Sequence, residues 1–488
     1  MKVCVVGAGP SGLVALKELR AAGLDATAFE AQPGCGGLFR FREADGLVWD
    51  TLRLTSSSVV TQFSDFPPEV APPFWRHDEY VAYLNAYATH FDLTEHLRFQ
   101  APVTRVERAP HGWHVWAGAD GPRRFDALVI SSGIHRQPHI PHIPGLERFR
   151  GQVLSAAHYR RAHPFRGLRV VCVGGGESAG DIAPQVAEVA AACTVSLRRG
   201  ACFQPRFING VPGDYQTNRL KHGVGHAGLT LLRRVAYERA ASGASADGSP
   251  DHHDAHAAAD DITATALART GLARWQQFAT KTSGIPESVA RGRCTLKPGI
   301  ANLEGHVVWF DDGSTVEADV LLFCTGFERP SWPFLGPLSP SHGLYRHVFA
   351  PDLGASMAFV GFARPAIGAI PVIAEMQARW VARVMSGHAS LPAPVEMHRR
   401  IEMADAATRA AFPKDVEQLP YLVRHAEYLD ALAREIGCMP DVRDLRTTPG
   451  LLRAFYTAPF TALQYRIVGP NALPDARERM LRLPLPTE

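Results

Sequence analysis

An α/β protein made of two parallel-sheet units is what this sequence predicts, and three observations carry the prediction. A short apolar run, Lys2–Val6, leads straight into Gly7-Ala8-Gly9-Pro10-Ser11-Gly12. The same order of apolar run, glycine turn and helical pattern recurs at Leu168–Val173 and Gly174-Gly175-Gly176-Glu177-Ser178-Ala179-Gly180. Each half also holds a second apolar run that stops at a glycine, Ala127–Gly133 and Ala318–Gly326. Short continuous apolar runs are what strands buried on both faces of a parallel sheet look like.

At 488 residues the chain is too long for one hydrophobic core, so two or three domains are expected. Hydrophobic residues make up 46% and charged residues 20%, the balance of a globular chain and not of a disordered one. Lysine and arginine total 51 against 48 aspartate and glutamate, a formal charge of +3, which gives no general attraction for nucleic acid or an anionic membrane. The eight cysteines are scattered, mostly singly, in apolar stretches and read as reduced core residues of a cytoplasmic protein. No uninterrupted apolar run approaches the roughly 18 residues that a bilayer requires.

In the first unit, Leu13, Leu16 and Leu19 recur at near-helical spacing up to Ala22, and Gly23 is placed to cap the helix. Ala26-Thr27-Ala28-Phe29 reads as the next strand and ends in Glu30, 23 residues after Gly7. Gly7 permits a tight turn, Gly9 lets backbone amides approach a pyrophosphate, and Gly12 lets helix and strand pack closely. The helix N-terminus offers free N–H groups to phosphate, and Glu30 offers a carboxylate to ribose hydroxyls. The unit is expected to bind a dinucleotide.

In the second unit the helical pattern carries Ile182, Val186 and Val189, and a strand is expected over Thr194–Leu197. It ends in Arg198-Arg199, 24 residues after Gly174. Guanidinium groups pair with a 2′-phosphate where an acid would repel it, so this unit favours NADP over NAD. Two such units imply an internal duplication: two Rossmann-like dinucleotide-binding domains, one for FAD and one for NADPH. Gln137–Gly145, interrupted by Pro138, Pro141 and Pro144, marks the crossing between them. Residues 240–261 are small, polar and aperiodic and are expected to form a mobile surface insertion. The sequence implies no scaffold for His252, His253, Asp254 and His256 within it, and no metal is expected.

Taken together, these motifs resemble the flavin-containing monooxygenases, the class B flavoprotein monooxygenases. The first glycine turn, with Phe29-Glu30 and Gly36-Gly37-Leu38-Phe39, is similar to the family's FAD fingerprint, and Phe63-Ser64-Asp65-Phe66-Pro67 to its early active-site loop. Phe149, Gly151 and Tyr159 resemble the identifying pattern F-x-G-x-x-x-H-x-x-x-Y. The second glycine turn and Ser196-Leu197-Arg198-Arg199-Gly200 resemble the NADPH segments, and Cys324-Thr325-Gly326-Phe327 the A-T-G-Y segment. Glu375–Trp380 and Gln464–Pro470 are similar to the C-terminal part.

The resemblance implies an NADPH domain over residues 158–324, carrying the insertion, placed inside an FAD domain of residues 1–157 and 325–488 that ends in a helical segment. It implies that NADPH reduces FAD, that dioxygen adds to the reduced flavin as a C4a-hydroperoxide, and that one oxygen atom passes to a soft nucleophile. That nucleophile is typically an amine nitrogen or a thioether sulfur of a small molecule. The cofactor-binding candidates are Gly7, Gly9, Pro10, Ser11, Gly12, Glu30, Gln32, Gly37, Leu38, Phe39, Thr55, Val103, Ser132, Gly133, Gly174, Gly176, Glu177, Ser178, Ala179, Arg198, Arg199, Thr325 and Gly326. Thr55 and Ser56 are the catalytic candidates, in the loop Leu52–Ser58 that the family sets beside the flavin. Pocket-lining residues are expected from Gly210–Tyr215 and the insertion that follows it, and a homodimer is left open as the assembly.

The sequence departs from the family at three places: Ser155 replaces the identifying histidine, Phe39 a tryptophan, and Thr55 the usual asparagine. A threonine hydroxyl donates one hydrogen bond but does not reproduce both faces of an amide. Baeyer–Villiger or keto-acid oxidation is the alternative within the flavin enzymes, although Tyr159 is followed by Arg160-Arg161 and not by the Trp-Pro of those relatives. A disulfide reductase would need a close cysteine partner for Cys35, which the sequence lacks. The non-enzymatic alternative is a flavin-binding redox sensor, kept open by Thr55 and Ser155.

Overall fold

The first glycine turn sits between β1 (Lys2–Val6) and α1 (Pro10–Ala21), and β2 (Asp25–Phe29) follows, in the computed structural model of the protein. The structure describes residues 1–119, 121–222, 260–265, 279–340, 343–413 and 421–484. Pro10 opens the helix, where its missing N–H costs nothing. Leu13, Leu16 and Leu19 are fully buried. The helix closes as the glycine signal requires. Gly23 takes φ +78°, its N–H donates to the Arg20 carbonyl at 2.9 Å, and the Leu24 N–H donates to the Leu19 carbonyl at 3.1 Å.

β1 pairs in parallel with β2 on one side and with β4 (Ala127–Ile130) on the other, and β3 (Leu97–Arg98) extends the sheet beyond β2. Before β4 the chain makes an antiparallel meander, Val103–Ala109, Gly112–Ala117 and Arg123–Phe125. The second half repeats the plan. Parallel strands β5 (Gln152–Ser155), β6 (Arg169–Val173), β7 (Ala192–Ser196), β8 (Cys294–Lys297) and β9 (Val320–Phe323) stand in the order β8-β7-β6-β9-β5. Here too an antiparallel meander, Ile300–Glu304, Val307–Phe310 and Thr315–Glu317, comes just before the last apolar strand. The duplication read from the glycine turns therefore extends through each whole unit.

β7 starts two residues earlier than the apolar pattern indicates, because its parallel register on β6 begins at Ala192 opposite Arg169. The helix after the second turn, α2 (Glu177–Ala187), buries Ile182 and Val186, whereas Val189 lies just beyond its end. The chain then returns to the first sheet. β10 (Met357–Phe359) pairs with β4, completing the order β10-β4-β1-β2-β3, and α3 (Ile370–Met385) packs along α1.

The two units are locked where the identifying pattern falls. Tyr159 is buried edge-on against Trp49 at 6.2 Å, and the Asp50 N–H donates to the Arg160 carbonyl at 3.1 Å. Ser155, in the histidine's place, accepts from the Ala157 N–H at 3.2 Å and caps the turn Ala156–His158. All eight cysteines are free and buried. Among the described residues no helix is long and apolar enough to cross a membrane, and no cluster of potential metal ligands is found. Apart from Asp260 and Asp261, the insertion read at 240–261 lies outside the described residues, as do His252, His253, Asp254 and His256.

Candidate active site

At the first turn the glycines are fixed by close backbone approach. A Cβ on Gly12 would stand 1.9 Å from the Gly7 carbonyl oxygen, and one on Gly37 would stand 2.9 Å from Gly9 Cα. The turn Gly37–Phe39, with Leu38 and Phe39 partly buried, thus presses its backbone onto Gly9, and the Phe39 ring meets Tyr80 edge-on at 4.9 Å. Pro10 and Ser11 form the start of α1, and a Cβ on Gly361 would collide with Ser11 Oγ at 2.1 Å. The C-terminal part therefore closes directly onto the turn. The Gly361 N–H is held at 2.8 Å by Gln377 of α3.

Glu30 is buried, and its two carboxylate oxygens accept the N–H groups of Ala8 at 2.7 Å and Gln32 at 2.8 Å. It ties the glycine turn to the end of β2, and each oxygen keeps lone-pair capacity for a ribose hydroxyl. The Gln32 carbonyl accepts from Gln100 and the Glu30 carbonyl from Ala101, which brings the start of the Val103 strand alongside. Around this cradle Gln32 Oε1, Ser131 Oγ and Ser132 Oγ are buried without hydrogen-bond partners, and Gly133 follows in the left-handed region at φ +81°. A narrow backbone cradle rimmed by orphaned polar atoms fits a polar dinucleotide. The residues present fit FAD.

The second turn is tight at its first glycine and open at its third. A Cβ on Gly176 would meet nothing within 4 Å, whereas one on Gly174 would stand 2.6 Å from the Cys324 carbonyl. Ser178 is partly exposed and Ala179 is buried, so Ala179 offers a ligand only its backbone. Glu177 Oε1 is buried without a hydrogen-bond partner, 4.0 Å from Lys281 Nζ. Next to it, burial pushes Asp181 up to about 6 against the pull of Arg206. Arg198 is exposed and Arg199 half-buried past the end of β7, where the Leu197 N–H donates to the Lys297 carbonyl at 2.8 Å. The exposed Arg198 guanidinium at this strand end, with Arg199 next to it, fits the 2′-phosphate of NADPH. Thr325 is engaged elsewhere: its hydroxyl donates to the His139 carbonyl at 2.5 Å, and the His139 N–H donates to the Gly326 carbonyl, so this pair secures the proline-rich crossing.

The loop Leu52–Ser58 lies at the junction, with Leu54 in the core of the first unit and Leu52 against both cores. The two catalytic candidates differ. Ser56 is buried and shares a hydrogen bond with Thr61 Oγ1 at 2.7 Å, whereas Thr55 is half-buried and its hydroxyl makes no hydrogen bond within the described residues. Ser57 Oγ accepts from the Val60 N–H at 3.3 Å and caps the short helix Ser58–Thr61.

A buried ionic cluster holds the neighbouring segment Phe63–Pro67, and sequence reasoning gave it no role. The Glu375 carboxylate of α3 accepts from both the Ser64 N–H, at 2.8 Å, and the Ser64 hydroxyl. Arg466 reaches Glu375 at 3.0 Å, Glu18 at 3.1 Å and Ser64 Oγ at 2.8 Å, and Lys17 pairs with Asp65 at 2.5 Å. Burial raises the Glu18 carboxyl, but Lys17 and Arg466 outweigh it and hold the group below its ordinary value. Glu18 and Glu375, acids inside apolar helical stretches, were a signal for this cluster.

The comparisons with known proteins agree with this geometry. The family model described as flavin-binding monooxygenase-like matches residues 1–225 and 264–483. The chain belongs to that family. Its members here include a 4-hydroxybenzoate brominase (decarboxylating) of Pseudoalteromonas luteoviolacea, 33% identical over 99% of this chain and 93% of that protein. Dimethylaniline monooxygenase 2 (N-oxide-forming) of Mus musculus is 32% identical over 98% of this chain and 91% of its own. Among solved structures, S-allyl-L-cysteine S-oxygenase of Allium sativum matches with a TM-score of 0.65 at 24% identity, covering 93% of this chain and 92% of that one. As a flavin-binding monooxygenase-like protein, the chain is an FAD- and NADPH-dependent monooxygenase with two Rossmann-like domains.

Proposed function

We propose that this monooxygenase transfers one oxygen atom to a soft nucleophile, an amine nitrogen or a thioether sulfur, of a small molecule. The observation that carries the reading is the Thr55 hydroxyl at the junction of the two nucleotide-binding units, which makes no hydrogen bond among the described residues, beside the engaged hydroxyls of Ser56, Ser57 and Thr61. A hydroxyl donates one hydrogen bond but removes no proton at neutral pH. An amine or thioether lone pair attacks an electrophilic oxygen without prior deprotonation, so such a site suffices for it. Bound FAD, reduced by NADPH, supplies the activated oxygen: substrate, O2, NADPH and a proton give the oxide, NADP⁺ and water.

In this reading the first glycine turn, Glu30 and Ser132 hold FAD, and Gly174–Ala179 with Arg198 and Arg199 hold NADPH. Thr55 orients the reacting oxygen. The mouse relative, named for N-oxide formation, supports the same acceptor class. A second reading is favoured by the two brominases, both 33% identical over nearly the whole chain: the oxygen acceptor is then bromide or a phenolic acid such as 4-hydroxybenzoate. We place the enzyme in the cytoplasm, where its eight free cysteines stay reduced, with a homodimer as the assembly to test.

The deciding experiment offers the purified yellow protein a tertiary amine, a thioether, a ketone, and 4-hydroxybenzoate with and without bromide. Substrate-dependent NADPH oxidation and product mass are read together. A product heavier by one oxygen from the amine or thioether supports the first reading. A brominated phenol from the last arm replaces it with the second, and a lactone or ester from the ketone overturns both.

A further inference from the structure

The two nucleotide sites are joined by a hairpin that neither glycine turn explains. Phe207-Ile208 pairs antiparallel with Val211-Pro212 across Asn209 at φ +50° and Gly210 at φ +74°, the left-handed pair of a type I′ turn. At its base Arg206 is fastened to the second site. Its guanidinium stands 2.6 Å from Asp181 on α2, and its Nε donates to the Lys281 carbonyl at 3.2 Å. At the other end the chain crosses to the first unit, where Asp214 Oδ2 accepts the Ser57 N–H at 2.6 Å. Beyond it, Arg219 is fully buried and donates twice to Asp430, at 2.6 and 2.9 Å, which anchors the segment on the C-terminal part.

Asp214 is only 7% exposed, and its Oδ1 is buried without a hydrogen-bond partner. Burial raises its pKa, although the Ser57 amide and Lys281 oppose that shift. An apolar side chain would avoid the cost of burying a half-satisfied carboxyl group, so what this position supplies is an acceptor. The donor it holds is the amide of Ser57, two residues after Thr55 and the N-cap of Ser58–Thr61. Fixing that amide fixes the backbone that carries Thr55.

We propose that Asp214 is a positioning residue: from the NADPH-binding unit it holds the Thr55–Ser57 backbone, so the loop is set only while the hairpin 206–214 is docked. The catalytic consequence rests on the reading that Thr55 serves the oxygen chemistry. A hydrogen bond reaching over 157 residues of sequence makes the loop of one nucleotide site depend on an element fastened to the other.

The test is hydrogen–deuterium exchange on the purified flavoprotein, with NADPH consumption and hydrogen peroxide release measured on the same samples. Asp214→Ala is expected to raise exchange of the Ser57 amide at least tenfold while the α1 and α2 amides stay unchanged. Hydrogen peroxide per NADPH should rise several-fold with the NADPH KM unaltered, and Asp214→Asn, which keeps an acceptor oxygen, should stay near wild type in both. If Asp214→Ala does not accumulate, Ser57→Pro deletes the donor at a φ of −61° that proline accepts, and it too must raise the peroxide ratio. Unchanged exchange at Ser57 in Asp214→Ala overturns the positioning role. Faster exchange with an unchanged peroxide ratio overturns the catalytic consequence. Failure of the wild type to consume NADPH at all would instead overturn the monooxygenase reading.

Discussion

Replacing Arg466 by methionine removes the centre of the buried cluster while nearly preserving side-chain length. Arg466 is 1% exposed and is the cation nearest Glu375, at 3.0 Å; Glu18 and Asp65 keep Lys17. Breaking a buried ion pair from one side costs about 3–5 kcal/mol, because the remaining charge is left without its counter-ion. With an unfolding entropy of about 2.1 cal/mol/K per residue over 488 residues, one degree corresponds to about 1 kcal/mol. Unfolding of the chain as one unit then gives a Tm lowered by about 3–5 °C.

Acid sensitivity should change as well. A carboxyl held below its ordinary value in the folded state contributes stability that is present above its unfolded pKa and lost as pH falls through the folded one. Glu18, with an ordinary value of 4.5, is such a group, and Arg466 is one of the charges that depress it. Wild type should therefore lose stability on acidification below about pH 4.5, and Arg466→Met should lose less of it. The assay is thermal unfolding followed by flavin fluorescence between pH 7 and 4. A Tm shift below about 1 °C at pH 7, with an unchanged acid profile, would refute the view that this cluster holds the Phe63–Pro67 segment.

Changing Arg198 and Arg199 to alanine should raise the NADPH KM by roughly 10- to 150-fold, the worth of a charge-assisted bond of about 1.5–3 kcal/mol, and leave NADH nearly untouched. Equal losses with both nucleotides would assign these residues to the fold. Thr55→Val keeps the shape and deletes the donor; at about 1–3 kcal/mol for the lost bond, hydrogen peroxide per NADPH should rise several-fold, and an unchanged ratio would leave Thr55 a packing role. Gly12→Ala places a methyl 1.9 Å from the Gly7 carbonyl oxygen, so the variant should purify without yellow colour, as read by flavin absorbance. Retention of stoichiometric FAD would mean that the turn can open without losing the cofactor.

Sequence alone determined the nucleotide-binding units, because their signals are local. A buried parallel strand is a continuous apolar run, and a turn that brings helix and strand backbones together admits only glycine. The acid or arginine pair falls at a fixed distance because one helix and one strand have fixed lengths. The places of Arg198, Arg199 and Glu30 just past the ends of their strands were legible for the same reason, and the Glu30 oxygens accept from Ala8 and Gln32 within the same unit. What belongs to contacts between distant segments was not legible. Ser56 and Thr55 are neighbours of similar chemistry, and only the fold turns one hydroxyl onto Thr61 and leaves the other without a hydrogen bond among the described residues. Thr325 matches a cofactor segment in sequence, yet its hydroxyl is taken by His139 in the crossing between units. Glu375 and Arg466 lie 91 residues apart, and Asp214 lies 157 residues from Ser57. No periodicity or spacing reports such pairings, because a charge or acceptor gains its meaning from what burial places opposite it, and that is decided only when the sheets and helices pack.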